Sequence, residues 1–299
     1  MRPTSERQSV LVIGCGRMGS QIAVEYAATG HRVTVTGRDL DAANARLAQA
    51  LNLFRRYRAD SEEAALAARE AIGDVRGWDS LSLEGIDIAV ESVAEDLGLK
   101  ADLLGQVAAA NPAAVLATNT SSIRVSDLGE AAGAPARVIG THYWNPPLLM
   151  PAVEVVSGAD TGAEVKRAMV DRLVEMGKVP IAVDRDVSGF VWNRLQAALL
   201  REALWLVDNG VASADTIDDA VRFGLAPRAT HTGVFRTVEL GGVGVWNALM
   251  ENVLPELSTE SRVGDIASRL DGHDRGELAA VEEVRDRGLA ARLRELDMS

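Results

Sequence analysis

A histidine and a glutamate stand twelve positions apart in the stretch THYWNPPLLMPAVEVV, residues 141–156. His142 is one of only four histidines in the chain of 299 residues, and Glu154 lies inside an otherwise apolar run. An imidazole titrates at a pKa of about 6.5, and a neighbouring carboxylate can fix its tautomer and stabilise its charged form. The pair therefore predicts a general base and the acid that orients it. The alternative is structural, with a histidine packed in the core and a glutamate on an edge strand.

A second chemical pattern is the glycine-rich turn VIGCGRMGS, which contains Gly14-x-Gly16-x-x-Gly19. It follows a strand-like apolar run and opens a helix-like stretch, which is the context in which such a turn binds a dinucleotide. The first glycine allows the tight turn, the second lets the backbone approach a pyrophosphate, and the third lets helix and strand pack closely. Arg17 and Met18 lie within the turn and belong to the predicted cofactor contacts. We expect NAD or NADP at the start of this helix.

The choice between NAD and NADP depends on the end of the second predicted strand, VTVTGRD. NAD sites place an Asp or Glu there to bind the ribose hydroxyls. Here Gly37 takes that place, Arg38 follows, and Asp39 comes two positions late. The missing carboxylate removes the repulsion of a 2′-phosphate, which Arg38 can bind, so the sequence favours NADP. In the alternative, Arg38 faces solvent, Asp39 caps the next helix, and NAD is bound.

The elements that position these residues alternate between strands and helices over the first 185 residues. Short β-branched runs predict seven strands, separated by segments with helical spacing. The predicted strands are 9–14, 31–37, 86–92, 114–120, 137–144, 152–156 and 178–184. Such alternation is typical of an α/β fold with a Rossmann-type, doubly wound and mostly parallel sheet. No strand pattern follows, so we predict a dinucleotide-binding domain over 1–185 and an all-helical domain over 186–299.

Four loops are expected to meet around the bound dinucleotide, because the carboxyl ends of the strands form the ligand crevice of a doubly wound sheet. Three of them follow strands, and the fourth opens the helical domain. They are VESVAEDLGLK (90–100), ATNTSS (117–122), THYWNPP (141–147) and GFVWNR (189–194).

Composition excludes several classes of function. The net charge of −12 provides no basic field for nucleic acid. Cys15 is the only cysteine, which excludes internal disulfides and fits a reducing cytoplasm. No metal-ligand spacing, no signal peptide and no apolar run of the roughly 20 residues that span a bilayer is found. We expect a cytoplasmic protein that acts on a small molecule without a metal, and we expect His31, His231 and His273 to be structural.

Together, Gly-x-Gly-x-x-Gly, NTSS, H-x-x-N-P…V-E-V and GF-x-x-N-R resemble the L-3-hydroxyacyl-CoA dehydrogenase family over nearly the whole chain. The resemblance implies an NAD(P)-dependent oxidoreductase that interconverts a hydroxyl group and a carbonyl group by hydride transfer. It also implies a homodimer formed through the helical domain. The resemblance matches His142 to the family's catalytic base and Glu154 to its paired acid. It places Ser121, Asn145 and Asn193 near the substrate. The implied cofactor contacts are Glu95, Lys100, Ser121 and Asn145.

Three of these matches have structural alternatives. Ser121 can cap the helix predicted after it. Asn193 can cap a helix or bridge the domain junction. Lys100, on a predicted helix, can be a surface charge.

The substrate is left open between two classes. Acyl-CoA members of the family usually carry a lysine after the Asn-Pro corner, where this chain has Pro151, and the double proline resembles gulonate, carnitine and pyridine-carboxylate dehydrogenases. Arg55, Arg56 and Arg58, however, lie on the predicted helical excursion where acyl-CoA members bind the carrier. The leading prediction is a 3-hydroxyacyl thioester or a related 3-hydroxy acid. The alternatives are a small hydroxy acid or aldehyde without CoA and, from another class, a catalytically silent nucleotide-binding protein.

Overall fold

The computed structural model describes residues 7–270 and 275–296. The chain forms two compact units, one made of the residues up to Val191 together with those from Val281 on, and the other spanning Trp192–Ala280. The sequence placed the boundary at 185 and assigned every later residue to the helical domain, so the observed division differs at both ends. His273 lies outside the described residues.

The first unit is built on a seven-stranded sheet. In chain order the strands are β1 (Ser9–Ile13), β2 (Arg32–Thr36), β3 (Ile88–Glu91), β4 (Val115–Thr118), β5 (Val138–Tyr143), β6 (Ala152–Ser157) and β7 (Val179–Val183). Their order across the sheet is β2-β1-β3-β4-β5-β6-β7. Neighbouring strands are parallel except β5 and β6, which are antiparallel. The predicted fold class is confirmed, and each predicted strand is present.

The centre of the sheet is buried on both faces, which explains why its strands read as continuous apolar runs. Every residue of β3 and β5 is buried. The edge strand β7 differs, since Val179 and Ile181 expose 42% and 37% of their surface. His142 and Glu154, which the sequence predicts to be the general base and its acid partner, lie on β5 and β6, next to this edge strand.

Helices cover both faces of the sheet. They are α1 (Arg17–Ala28), α2 (Leu40–Tyr57), α3 (Glu62–Ala71), α4 (Leu97–Ala110), α5 (Val125–Ala131) and α6 (Ala163–Glu175). One hydrophobic cluster includes Ile22 and Tyr26 of α1 and Phe54 of α2, and the other includes Leu104 of α4 and Leu128 of α5. Each such side chain stabilises the fold by roughly 1.5–3 kcal/mol through burial. These two layers hold the strand ends, and therefore the loops of the site, in place.

The second unit is helical. Its helices are α7 (Trp192–Asp208), α8 (Ala214–Ala220), α9 (Ala226–Gly241) and α10 (Val243–Val253), with a π-helical turn at Val221–Leu225. Its described residues include no strand. Leu204 is the one large apolar side chain that is buried among them, whereas Phe235 and Leu240 expose 83% and 78% of their surface. None of the helices in the described chain is long and apolar enough to cross a membrane.

The last helix, α11 (Arg275–Glu295), contributes its part from Val281 on to the first unit. Ala290 and Leu293 are buried in a small cluster with Leu149. Glu283 accepts hydrogen bonds from the guanidinium of Arg56. These contacts explain why a segment that reads as merely charged in the sequence groups with the dinucleotide-binding unit.

Candidate active site

His142 and Glu154 face each other across the antiparallel pair of β5 and β6. They are direct partners in the strand register, which places both side chains on the same face of the sheet. His142 Nδ1 lies 2.7 Å from Glu154 Oε2. His142 is 6% exposed and Glu154 is 1% exposed. The two predicted residues therefore form a buried, hydrogen-bonded pair.

The His142–Glu154 pair also contacts two residues of the segment 189–194, which the sequence predicted to lie near the site. Glu154 Oε1 accepts a hydrogen bond from the backbone N–H of Val191 at 3.0 Å. The ring of Phe190 lies 5.7 Å from the imidazole, centroid to centroid, at an interplanar angle of 59°. Glu154 thus has a donor on each oxygen, and the imidazole packs against an aromatic ring.

This arrangement assigns the chemistry of the imidazole. An ionised carboxylate can only accept a hydrogen bond, so Nδ1 carries the hydrogen that is shared with Glu154. Nε2 is then the nitrogen with a free lone pair and can take a proton. The carboxylate stabilises the imidazolium that results, as in the Asp–His pairs of hydrolases.

The glycine turn after β1 has the shape that a dinucleotide requires. Gly14 has a φ of +99°, and a Cβ there would lie 2.7 Å from the carbonyl oxygen of Ser92. A Cβ on Gly19 would collide with the carbonyl oxygen of Gly14, whereas a Cβ on Gly16 would meet no atom within 4 Å. Gly16 is also the N-cap of α1 and has no side-chain cap, so this helix end is available to an anion. The residues present therefore fit a bound pyrophosphate.

The end of β2 explains why no acidic side chain stands at position 37. A Cβ on Gly37 would lie 2.9 Å from the Cβ of Ala43, so α2 packs too closely for a larger residue. Asp39 Oδ1 accepts a hydrogen bond from the N–H of Ala42 and caps α2. Arg38 is exposed at the edge of the sheet. Asp39, two positions after the place where NAD sites carry their acidic residue, therefore serves as a helix cap.

Glu95 organises the loop that contains Ser121. Its Oε1 accepts hydrogen bonds from the hydroxyl of Thr120 at 2.5 Å, from the N–H groups of Ser121 and Ser122 at 3.1 and 2.9 Å, and from the Ser122 hydroxyl at 2.8 Å. Burial raises the pKa of Glu95, but these hydrogen bonds and the charge of Lys100 outweigh that effect and lower the pKa to about 2. The carboxylate is ionised at neutral pH. Since α5 begins at Val125, Ser121 is not its cap.

Lys100, which pairs with Glu95, is buried and is not a surface charge. It is 1% exposed, and its Nζ lies 2.8 Å from Glu91 Oε1 and 3.3 Å from Glu95 Oε2. Glu91, which is 0% exposed, also accepts hydrogen bonds from the N–H of Val93 and the hydroxyl of Thr118. A carboxylate–ammonium–carboxylate chain, buried at Glu91 and Lys100 and exposed at Glu95, thus connects the ends of β3 and β4 with the loop after β3.

A second buried ion network holds the loop 147–150 that follows β5. Lys178 Nζ donates to Glu25 Oε1 at 2.6 Å and to two carbonyl oxygens of the loop at 2.7 and 3.1 Å. Arg58 Nη1 donates to the carbonyl oxygen of Leu148 at 2.7 Å. Burial lowers the pKa of Lys178, and the charge of Glu25 opposes that shift. Side chains from α1, from the end of α2 and from the turn before β7 therefore fix this loop.

The three arginines of LFRRYR all have carboxylate partners within the chain. The pairs are Arg55 with Glu62, Arg56 with Glu283, and Arg58 with Glu25. The first two pairs are largely exposed and are worth little. Arg58 is 10% exposed and pairs with a buried carboxylate, so it cannot turn to a phosphate without a large cost.

A cleft of about 310 Å³ lies beside the glycine turn. Arg17 and Asn145, both predicted site residues, line it from the first turn of α1 and from the Asn-Pro corner. Glu282 and Asp286 of α11 line it as well. The cleft therefore carries charges of both signs.

Two family models match the chain. The NAD-binding domain of 3-hydroxyacyl-CoA dehydrogenase matches residues 9–187, and the C-terminal domain of 3-hydroxyacyl-CoA dehydrogenase matches residues 189–282. The chain belongs to the 3-hydroxyacyl-CoA dehydrogenase family. The resemblance read from its motifs is thereby confirmed, and the protein is an NAD-dependent dehydrogenase of this family.

Relatives within the 3-hydroxyacyl-CoA dehydrogenase family act on different compounds. The chain is 29% identical over 266 residues to a 5-formyl-3-hydroxy-2-methylpyridine 4-carboxylate 5-dehydrogenase of Mesorhizobium japonicum, covering 86% of this chain and 83% of that one. It is 34% identical over 222 residues to a probable 3-hydroxybutyryl-CoA dehydrogenase of Deinococcus radiodurans, covering 72% and 77%. A solved structure of an NAD⁺-dependent pyridine-carboxylate dehydrogenase shares the fold with a TM-score of 0.87 over 98% of this chain and 99% of that chain, at 24% identity.

The remaining predicted residue, Asn193, lies in the first turn of α7, in the second unit. Its role stays a prediction, as do the roles of the other matched residues. Three residues that the sequence analysis did not name individually complete the description of the site: Glu91, Lys178 and Phe190. Glu91 carries the same signal as Glu154, a carboxylate inside a buried strand, and Lys178 is one of only three lysines in the chain.

Proposed function

We propose that this dehydrogenase transfers hydride between a nicotinamide cofactor and a small polar hydroxy acid, or the matching carbonyl compound, that carries no CoA. The observation that carries the reaction class is the 2.7 Å contact between His142 Nδ1 and Glu154 Oε2 at the end of β5. A buried imidazole with one nitrogen committed to a carboxylate and the other open is suited to move the proton of a hydroxyl group.

In the oxidative direction, Nε2 of His142 takes the hydroxyl proton of the substrate as the carbonyl group forms. Glu154 stabilises the imidazolium that results, and in the reductive direction the same nitrogen returns the proton. Bound nicotinamide supplies the acceptor or the donor of the hydride. Ser121 and Asn145 are proposed to hydrogen-bond the oxygens of the substrate, and a role for Asn193 stays a prediction from the family resemblance.

The dinucleotide is proposed to lie on the glycine turn. Gly14, Gly16 and Gly19 give its pyrophosphate access to the start of α1, next to Arg17 and Met18. Glu95 and Lys100 are proposed to support the bound dinucleotide indirectly, by holding the Ser121 loop in position. Glu95 accepts a hydrogen bond from the N–H of Ser121, and Lys100 pairs with Glu95.

The cofactor preference also stays a proposal. Gly37 offers no carboxylate to repel a 2′-phosphate and Arg38 is exposed beside it, which supports use of NADP. The match to an NAD-binding domain and the NAD⁺-dependent structural neighbour support NAD. We therefore propose that the site accepts both dinucleotides.

Substrates without CoA are favoured by the ion pairs of the three arginines. Each arginine that the sequence suggested for carrier phosphates is paired with a carboxylate, and Arg58 is buried in its pair. The pyridine-carboxylate dehydrogenase that matches 86% of the chain fits this proposal.

A 3-hydroxyacyl thioester remains the second candidate. Its support is the 34% identity to a probable 3-hydroxybutyryl-CoA dehydrogenase. The pairs at Arg55 and Arg56 are exposed, so these two side chains can exchange a carboxylate for a phosphate.

A substrate panel with a histidine variant tests the proposal. The panel contains L-carnitine, L-gulonate, a hydroxymethylpyridine carboxylate and 3-hydroxybutyryl-CoA, each with NAD⁺ and with NADP⁺. We expect a higher kcat/KM for a small acid than for the thioester, and His142→Asn should lower kcat about 10²–10⁴-fold. His231→Asn, which changes an exposed histidine of the second unit, should leave turnover unchanged. A clear preference for the thioester would replace the proposed substrate class, and full activity of His142→Asn would overturn the mechanism.

The protein is further proposed to be a homodimer that pairs through the helical unit. Its support is the exposed apolar surface of that unit, including Phe223, Phe235 and Leu240 at 72%, 83% and 78% exposure. Surfaces of this kind commonly mark protein–protein contacts.

A further inference from the structure

Phe190 has a backbone conformation that its side chain does not favour. Among residues 7–270 and 275–296 it is the one non-glycine residue with a positive φ, at +48°, and it is 0% exposed. A bulky residue in the left-handed region costs of order 1–3 kcal/mol, and such strain is found mainly where the surrounding structure needs it. Phe190 follows Gly189, whose φ is +77°, so the whole bend is left-handed.

The bend brings two groups to the His142–Glu154 pair. The N–H of Phe190 donates to the carbonyl oxygen of Val187 at 3.0 Å and closes the turn. The next N–H, that of Val191, then points at Glu154 Oε1 at 3.0 Å. The Phe190 ring packs on the imidazole at 5.7 Å.

These two contacts restrict different motions. With Oε2 bonded to the imidazole and Oε1 bonded to a backbone amide, rotation of the Glu154 carboxylate breaks at least one hydrogen bond. The ring of Phe190 packs against the imidazole, so reorientation of the imidazole loses this contact. A glycine at this position would adopt the bend without strain, but it would leave the imidazole without its packing partner.

We propose that Phe190 is a positioning residue for the catalytic base: its strained bend and its ring together hold His142 and Glu154 in the paired geometry. The inference rests on the proposed role of His142. It adds that residues 189–191, just before the start of the second unit, belong to the machinery of the base, although they do not touch the reacting atoms.

The test compares two phenylalanine variants. Phe190→Leu keeps an apolar side chain and the unfavourable backbone but removes the ring. Phe54→Leu makes the same change at a buried position of α2. Phe54 is far from His142 and Glu154 in the sequence, and it belongs to a different hydrophobic cluster from Phe190. Both changes should lower the thermal unfolding midpoint, so a loss of stability alone does not separate a positioning role from packing.

The deciding readout is the low-field NMR signal of the proton shared by His142 Nδ1 and Glu154, which is identified by its loss in His142→Asn. With four histidines in the chain, ¹⁵N-histidine labelling gives a simple spectrum. We expect Phe190→Leu to shift or broaden this signal and to lower kcat about ten-fold, with the affinity for the dinucleotide kept within two-fold. Phe54→Leu should change neither the signal nor kcat.

The NMR measurement does not depend on whether the proposed function is correct. If the wild-type protein oxidises no member of the panel, the proposed function fails, but the signal still decides the role of Phe190. A wild-type protein without the signal, or a signal that is the same in Phe190→Leu, would overturn the inference.

Discussion

Glu154 on β6 and Glu95 in the loop after β3 each join separate segments of the chain by hydrogen bonds. Each is an ionisable carboxylate that can only accept hydrogen bonds, and each collects donors from separate segments of the chain. Glu154 connects the imidazole of His142 to the backbone of Val191, and Glu95 connects the Ser121 loop to Lys100. Single acidic residues thus set the geometry of both loops at the site.

Removal of the Arg38 guanidinium should weaken the binding of NADP⁺ and leave the binding of NAD⁺ unchanged. Arg38→Ala should raise the KM for NADP⁺ about ten-fold, since a charge-assisted hydrogen bond to the 2′-phosphate is worth about 1.5–3 kcal/mol, partly reduced here by solvent. The KM for NAD⁺ should stay within two-fold. Initial-rate kinetics with both cofactors measure this, and Arg32→Ala at the start of β2 is the control. Equal effects on both cofactors would show that Arg38 does not read the phosphate.

His31 should make stability depend on pH. Burial lowers its pKa from the ordinary 6.5 to about 4, and the nearby charge of Arg172 adds to the shift. Above pH 6.5 the ring is neutral in the folded and the unfolded chain, so it contributes no difference. Between pH 6.5 and 4 only the unfolded chain takes up the proton, and the free energy of unfolding should fall by up to about 3 kcal/mol.

His31→Asn isolates this contribution from the other acid-sensitive groups. In urea titrations at pH 7 and at pH 4, the variant should lose less stability on acidification than the wild-type protein does. An identical loss in both proteins would mean that His31 takes up its proton as readily in the folded chain as in the unfolded one.

Single residues were predicted from the sequence where type and spacing were unusual. A scarce histidine and a carboxylate in an apolar run identified His142 and Glu154, and the structure places them in contact. Phe190 gave no such signal, because the need for a left-handed bend depends on what surrounds it. The buried ion pair of Arg58 gave no signal for a similar reason, since its partner Glu25 is 33 positions away in the chain.

At the scale of elements, the loop after β5 depends on one buried lysine. Lys178→Met leaves the buried Glu25 with only Arg58, at 3.3 Å, and removes two hydrogen bonds to loop carbonyls. We expect it to lower the free energy of unfolding by about 3 kcal/mol, as for other buried ion pairs that lose a partner.

The chain offers a matched control for that change. Lys166 pairs with Asp184, whose side chain is 90% exposed, so Lys166→Met should cost less than about 1 kcal/mol. Urea denaturation of both variants at the same pH measures the difference. Equal losses would show that the Lys178 network adds no more than a surface pair.

The strands themselves could be predicted, but the reversal of β6 was not. Apolar β-branched runs of the right length identify buried strands whatever their direction. Direction depends on the connection, and the eight residues 144–151 between β5 and β6 are too few for a parallel crossover, which takes a dozen or more. The length of that loop was therefore the available signal for an antiparallel pair.

For the whole molecule, the apolar surface of the second unit is the dominant feature. A folded unit of this size with a single buried large apolar residue among its described positions has most of its hydrophobic surface unpartnered. Monomeric proteins rarely expose contiguous apolar patches above a few hundred Å². The dimer proposed above would bury part of this surface.

Light scattering at micromolar concentration should give a mass of about twice 31.8 kDa. Phe235→Glu should shift the protein toward the monomer, because a charge in an apolar interface is costly to desolvate. Leu66→Glu changes a 58% exposed leucine of the first unit and should leave the mass unchanged. A monomeric wild-type protein would contradict the proposal.

The direct opposition of His142 and Glu154 in the strand ladder has a consequence for how this scaffold can diversify. The ladder hydrogen bonds keep the acid on the same side of the sheet as the base, whereas a one-residue slip would turn it away. The length of the connection at 144–151 helps to set this register, so a change of length that shifts it by one residue would separate the two groups. Recognition on this scaffold is therefore expected to diversify by substitutions that keep the length of this connection, with the proton-handling pair inherited intact.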